Sequence, residues 1–203
     1  MTINCCTTSE DRLRIMRTAL TKLLGLMAVV GISGHAVVET PKPRGTGPVQ
    51  RERCGSALTA QLEKDIASPI EDAMKKADQD YNCNAYLCRG YQLEDNLESV
   101  QAVKAGDVLD FHIELIAGHH PGYANVSVVD LTTNQIIGEP LRHWADWPDS
   151  TSGPPRNDID FNITIPDTLS SACDAAGKCA IQWYWWASKN KQTYESCVDF
   201  YLE

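Results

Sequence analysis

Between Val108 and Ala117 the chain reads VLDFHIELIA, with Leu109, Phe111, Ile113, Leu115 and Ala117 alternating against Asp110, His112 and Glu114. Successive side chains of an extended strand point to opposite faces, so this segment has one face to bury and one to leave wet. Shorter β-rich runs follow at residues 125–129, 161–165, 180–186 and 198–202, divided by turn-formers such as Thr132, Asn134, Gly153, Pro154 and Pro155. Short strands at this spacing predict an all-β sandwich of the immunoglobulin- or fibronectin-like kind. Leu58, Leu62, Ile66, Ile70, Met74 and Ala77 recur instead at steps of three and four, which predicts helical turns broken near Pro69 and inserted between early strands. No internal repeat is visible, and the stretch PDSTSGPPRND at 148–158 is a surface loop too short to link domains.

The amino-terminal stretch follows another logic. Arg12, Arg14, Arg17 and Lys22 lead into Leu23, Leu24, Leu26, Met27, Ala28, Val29 and Val30, then into Gly31, Ser33 and Gly34. A basic start, a short apolar run and small residues are the parts of a secretory signal peptide, here residues 1–34. The apolar run of about ten residues is too short to cross roughly 30 Å of hydrocarbon, and no later run is longer. The expectation is therefore a secreted, extracellular domain of residues 35–203 with no membrane association and no appended carbohydrate-binding module. The residues ahead of the basic part, with Cys5 and Cys6, are unusual for such a leader, and a start at Met16 would omit them.

Removal of the leader keeps Cys54, Cys83, Cys88, Cys173, Cys179 and Cys197, an even count that predicts three disulfides in a secretory protein. Cys173 and Cys179 enclose only Asp174 to Lys178 and are natural partners; the sequence itself leaves the other pairings open. The formal charge is −9, and the leader is net basic, so the domain is more acidic still. That excludes nucleic acid as a natural partner and leaves a neutral polysaccharide unrepelled. Asn125-Val126-Ser127 and Asn162-Ile163-Thr164 fit the N-glycosylation pattern, although both sit in predicted strands.

Cleavage after Gly34 would make His35 the first residue, bringing a free α-amine and an imidazole onto one residue. Together they chelate a metal ion, and a third nitrogen would complete a T-shaped site. Nitrogen-rich tetragonal coordination suits Cu(II), and the same donors hold Cu(I), an oxidation change that zinc lacks. One copper ion is the expected cofactor.

The carboxy-terminal stretch IQWYWWASKNKQTYESCVDFYLE, with Gln192, Tyr194 and Cys197 in a Gln-x-Tyr-x-x-Cys pattern, resembles the final strands of lytic polysaccharide monooxygenases. His35-Ala36-Val37-Val38 and Pro41-Lys42-Pro43-Arg44 resemble the start of the same family's mature chains. Leu87-Cys88-Arg89-Gly90 and the segment from His120 to Ser127 resemble its fungal members described as type-4 chitin-binding domains. The resemblance implies His35 as bidentate ligand through its α-amine and Nδ1, with His120 as the second histidine and Tyr194 at the axial position. His119 is the alternative to His120, and Gln192 would reach the side where an oxygen species binds. It also ties Cys88 to Cys197 and leaves Cys54 with Cys83.

The same resemblance implies copper-dependent oxidative cleavage of glycosidic bonds in cellulose or chitin. An external electron donor reduces Cu(II), and hydrogen peroxide or dioxygen is the oxidant. Oxidation at a glycosidic carbon then breaks the chain without the two flanking carboxylates that hydrolysis requires. The partner would be an insoluble polysaccharide surface, met by a monomer. The rival readings are a non-catalytic secreted copper-binding protein and a carbohydrate-binding protein that uses Trp144 and Trp147. His112, between Asp110 and Glu114, reads as an exposed titrating side chain. His143, Trp144 and Trp147 read as packing before sugar contact, and Trp183, Trp185 and Trp186 as mostly core.

Overall fold

The computed structural model describes residues 34–150, 152–169 and 171–203. The expected leader, residues 1–34 with Cys5 and Cys6, lies outside the described residues except for Gly34. The chain begins with strand β1 (His35–Thr40) and passes through helices α1 (Pro48–Cys54), α2 (Ser56–Lys64) and α3 (Ile70–Met74). It then forms β2 (Gln101–Val103), β3 (Val108–Ala117), β4 (Tyr123–Asp130), β5 (Gln135–Ile136), β6 (Arg142–Trp144), β7 (Asp160–Thr164), β8 (Cys179–Ala187) and β9 (Gln192–Leu202).

Two sheets result. One has the order β1-β3-β7, and the other runs β2-β9-β8-β4-β5, with β6 also paired to β4. The alternation of β3 does what the sequence predicts: Phe111 and Ile113 are buried, while His112 and Glu114 stay partly exposed on the outer face. The inward residues meet Val126 and Val128 of β4, Phe161 and Ile163 of β7, Trp183 and Trp185 of β8 and Phe200 of β9 in one core. This is the expected immunoglobulin-like sandwich.

The helical insertion lies between β1 and β2, with its own small core of Cys54, Leu58, Leu62, Ile70, Ala73, Ala85 and Tyr91. Pro69 is the N-cap of α3, so the break falls where its missing N–H does least harm. Ile66, expected on the helical stripe, is instead 56% exposed, because α2 has already ended at Lys64. Helix α1 was not legible from periodicity, since only Gln50 and Cys54 of its residues are buried. Alternation likewise did not mark the bounds of strand β1 or of the first half of β9.

Disulfides join Cys54 to Cys83, Cys88 to Cys197 and Cys173 to Cys179. The second ties the segment after the helices to β9 across 109 residues. Arg44 adds a buried clamp from the chain after β1 to the same strand: its Nε and Nη2 each donate to Asp199 at 2.5 Å. Of the two glycosylation patterns, Asn162 is exposed on β7, whereas Asn125 is partly buried and accepts a hydrogen bond from the Ser127 hydroxyl.

Candidate metal centre

Backbone pairing decides what meets the first strand. His35 opens β1 opposite Ala117, the last residue of β3. The loop that leaves β3 therefore starts beside His35 and carries Gly118, His119 and His120. On the other sheet, β9 begins at Gln192, and Tyr194 lies opposite Trp185 on β8. Three chain segments distant in sequence thus share one end of the sandwich.

Gly34, the residue before His35, marks the point of convergence. Its N–H donates to His119 Nε2 in a very short contact. Its carbonyl accepts from the Tyr194 hydroxyl at 2.9 Å, and the same hydroxyl lies 3.2 Å from Gln192 Oε1. A Cβ at position 34 would run into the His119 ring and the Tyr194 hydroxyl, so only glycine fits this cradle. His119 Nε2 also lies 2.9 Å from Asn190 Nδ2, in the turn between β8 and β9.

His120 is held elsewhere. Its Nδ1 is 3.0 Å from the Pro148 carbonyl and 3.3 Å from an Asp146 carboxylate oxygen. The imidazole that reaches Gly34, where the Tyr194 hydroxyl also binds, is thus that of His119, whereas His120 engages Pro148 and Asp146 through Nδ1.

The protonation states suit metal binding. Burial, then the positive charges of His35 and Lys189, hold the His119 pKa below the ordinary histidine value, which keeps its imidazole neutral, the form that ligates metals. Burial, aided by Glu71 and Asp72, pushes the Tyr194 phenol well above its ordinary value. Tyr194 is therefore a neutral phenol at physiological pH. It is fully buried, with its ring stacked on Trp185 at a centroid distance of 4.2 Å. A nitrogen-rich donor set of His35 and His119 beside a neutral phenol fits copper.

Residues that sequence patterns did not single out support these. Asp65, directly after α2, places Oδ2 2.6 Å from His35 Nε2. Glu71 of α3 accepts from both the N–H and the hydroxyl of Thr193 at 2.8 Å, pinning the residue between Gln192 and Tyr194. Glu195, on the opposite face of β9 from Tyr194, is buried, and burial raises its carboxyl to about 7 although the Arg89 and Cys88 N–H groups donate to it. Trp147 is completely buried against Trp183 and Trp185, and Trp144 is 9% exposed, so both are packing residues. His143 is exposed.

A second gathering of ligand-type side chains lies on the outer face of the β1-β3-β7 sheet. Ligand atoms of Glu39, His112 and Glu114 lie within 4.8 Å of one another, and His112 Nδ1 is 2.6 Å from Asp160.

Residues 35–200 match the family model described as lytic polysaccharide mono-oxygenase, cellulose-degrading. No curated protein matches the chain. Solved structures that it resembles include a lytic polysaccharide monooxygenase from Jonesia denitrificans, 17% identical over 83% of this chain and 100% of that one, with a TM-score of 0.42. The catalytic domain of one from Listeria monocytogenes is 15% identical over 83% and 99%, with a TM-score of 0.44. A Bacillus amyloliquefaciens protein solved in complex with Cu(I) is 10% identical over 83% and 100%, with a TM-score of 0.42. At these values the assignment rests on the family match and not on the structural likenesses.

Proposed function

The chain belongs to the lytic polysaccharide mono-oxygenase family, and from that premise we propose that its copper is held by the α-amine and Nδ1 of His35, freed by cleavage after Gly34, and by Nε2 of His119. The enzyme is a copper-dependent oxidoreductase that cleaves polysaccharide by oxidation. The observation that carries the ligand assignment is the Gly34 cradle: the atoms just before the His35 nitrogen already contact His119 Nε2 and the Tyr194 hydroxyl.

Bound there, copper would supply the one-electron exchange that lets an oxidant and an external donor act on a glycosidic C–H bond. The protein's own groups set the conditions. Neutral His119 offers a lone pair at the Gly34 nitrogen, one residue ahead of the nitrogen that cleavage would free. Buried Tyr194 keeps its proton and closes one side of the site with an apolar ring. Gln192 accepts the tyrosine's hydroxyl through Oε1, which leaves its amide N–H groups to donate to an oxygen ligand. Glu71 holds this segment in register through Thr193.

The proposed substrate is the surface of an insoluble polysaccharide, cellulose or chitin, reached by a secreted monomer whose leader ends at Gly34. Hydrogen peroxide or dioxygen would be the oxidant. Leu87-Cys88-Arg89-Gly90 supports a place near the fungal type-4 chitin-binding group. The decisive experiment is mass spectrometry of products from copper-loaded mature protein with reductant and peroxide on cellulose, chitin and xylan. Oxidised oligosaccharides that disappear with His35→Ala are expected and would name the polymer. Stoichiometric copper without oxidised products would move the non-catalytic copper-binding reading ahead.

A further inference from the structure

Asp65 occupies the C-cap of α2 and is fixed from several sides. Its N–H donates to the Gln61 carbonyl, and its Oδ1 accepts the Ala67 N–H at 3.2 Å. Its carbonyl accepts the Ser68 hydroxyl at 2.8 Å, and the Ala67 carbonyl in turn accepts the Ala36 N–H at 3.2 Å. The turn is thereby fastened to β1 one residue from His35. Its remaining oxygen, Oδ2, sits 2.6 Å from His35 Nε2, with the two side chains 34% and 23% exposed. The carboxylate is set in place by the turn and does not depend on a freely swinging side chain.

We propose that Asp65 is a positioning residue for the copper ligand, acting through the His35 imidazole. This rests on the assignment of His35 as the chelating residue. A carboxylate at Nε2 requires the proton to be on Nε2, which puts the lone pair on Nδ1, the ring nitrogen that can close a chelate with the α-amine of the same residue. The contact also fixes the ring's orientation and raises the donor strength of Nδ1, as carboxylate–histidine–metal arrangements do. A stronger, partly anionic donor favours Cu(II) over Cu(I), so Asp65 lowers the reduction potential of the site. It also occupies Nε2, and a methyl group on that nitrogen is incompatible with the contact.

The test uses mature secreted protein with Asp65→Asn, Asp65→Ala and His35→Ala. Asparagine keeps an oxygen for the Ala67 N–H and the volume of the side chain but removes the charge, so the turn survives in at least that variant. Cu(II) and Cu(I) affinities, the reduction potential and the electron paramagnetic resonance spectrum of the Cu(II) form are measured, with the melting temperature of the metal-free protein as a fold check. Asp65→Asn is expected to lose roughly 10-fold in Cu(II) affinity with Cu(I) affinity unchanged. That converts to a potential about 59 mV higher for a one-electron couple. The spectrum shifts, the melting temperature does not, and Asp65→Ala moves further in the same direction. A wild-type potential and spectrum in Asp65→Asn, with copper binding lost in His35→Ala, would overturn the role of Asp65 alone. Copper binding that survives His35→Ala would overturn the ligand assignment and the role of Asp65 with it.

Discussion

His35 and His112 each hold a ring nitrogen 2.6 Å from an aspartate, Asp65 in one case and Asp160 in the other. Their remaining surroundings differ in kind. At Gly34, the residue just before His35, a second imidazole and a neutral phenol meet, with a glutamine amide beside the phenol and Trp185 stacked on it. Around His112 the nearest charged groups are Glu39 at 3.8 Å and Glu114 at 3.9 Å, all on an open strand face. Alternation along β1, with Ala36 and Val38 buried, puts Glu39 on that face. The first set is rich in nitrogen, whereas the second is mainly exposed oxygen, screened by water and salt. A histidine leaning on a carboxylate is thus common to both, and the donor type decides which one selects copper.

Several measurements would break this contrast or sharpen it. His35→Ala should abolish both copper binding and oxidised products, while His112→Ala leaves one copper per chain and full activity. A lowered copper stoichiometry in His112→Ala would put the outer face into the metal chemistry. His119→Ala should cost more Cu(II) affinity than the roughly 10–100-fold that loss of a supporting partner costs. His120→Ala should change it by no more than about 2-fold on that scale, and titration calorimetry of the pair decides between the neighbours.

A third contrast sets a buried carboxyl behind β9 against an exposed one on β7. Glu195 has its pKa raised by burial from 4.5 to about 7, so its neutral form is the one the fold prefers. The stability it lends is complete below its unfolded value of 4.5 and is lost as the pH climbs through about 7. Glu195→Gln should flatten that decline in melting temperature. Asp160 has its pKa lowered below 3.8, by the hydrogen bond from His112 first. Its contribution is present above 3.8 and fades as the pH falls through its lowered value. Asp160→Asn should therefore lower the melting temperature at neutral pH and leave it unchanged in strong acid, by the smallest amount in this series, as thermal melts at the two pH values would record.

How much of the centre can be read without coordinates varies from residue to residue. His35 and Tyr194 stand out in the sequence because one follows a stretch with the pattern of a leader and the other stands in a spaced motif. The choice within His119-His120 needs the pairing of His35 with Ala117. The loop contacts that separate the two imidazoles, Gly34 for one and Pro148 for the other, follow from tertiary structure and leave no mark in local spacing. Asp65 had no such signal. Its place depends on where α2 stops and on a contact across 30 residues, neither of which local propensity fixes. The sandwich was legible from β3 because burial enforces alternation, whereas α1, whose buried residues are Gln50 and Cys54, leaves no apolar stripe to find.

The aromatic stack beneath Tyr194 has an optical consequence. Trp185 lies 4.2 Å from Tyr194 and 5.1 Å from Trp147, which in turn stands 5.4 Å from Trp183. Indoles this close share excitation, and a paramagnetic ion at the chain terminus would sit at one end of the row. Occupancy of the centre is therefore written into the protein's own ultraviolet emission: loading with Cu(II) dims it, a chelator restores it, and a label-free titration follows from packing that a core of aliphatic residues would not have provided.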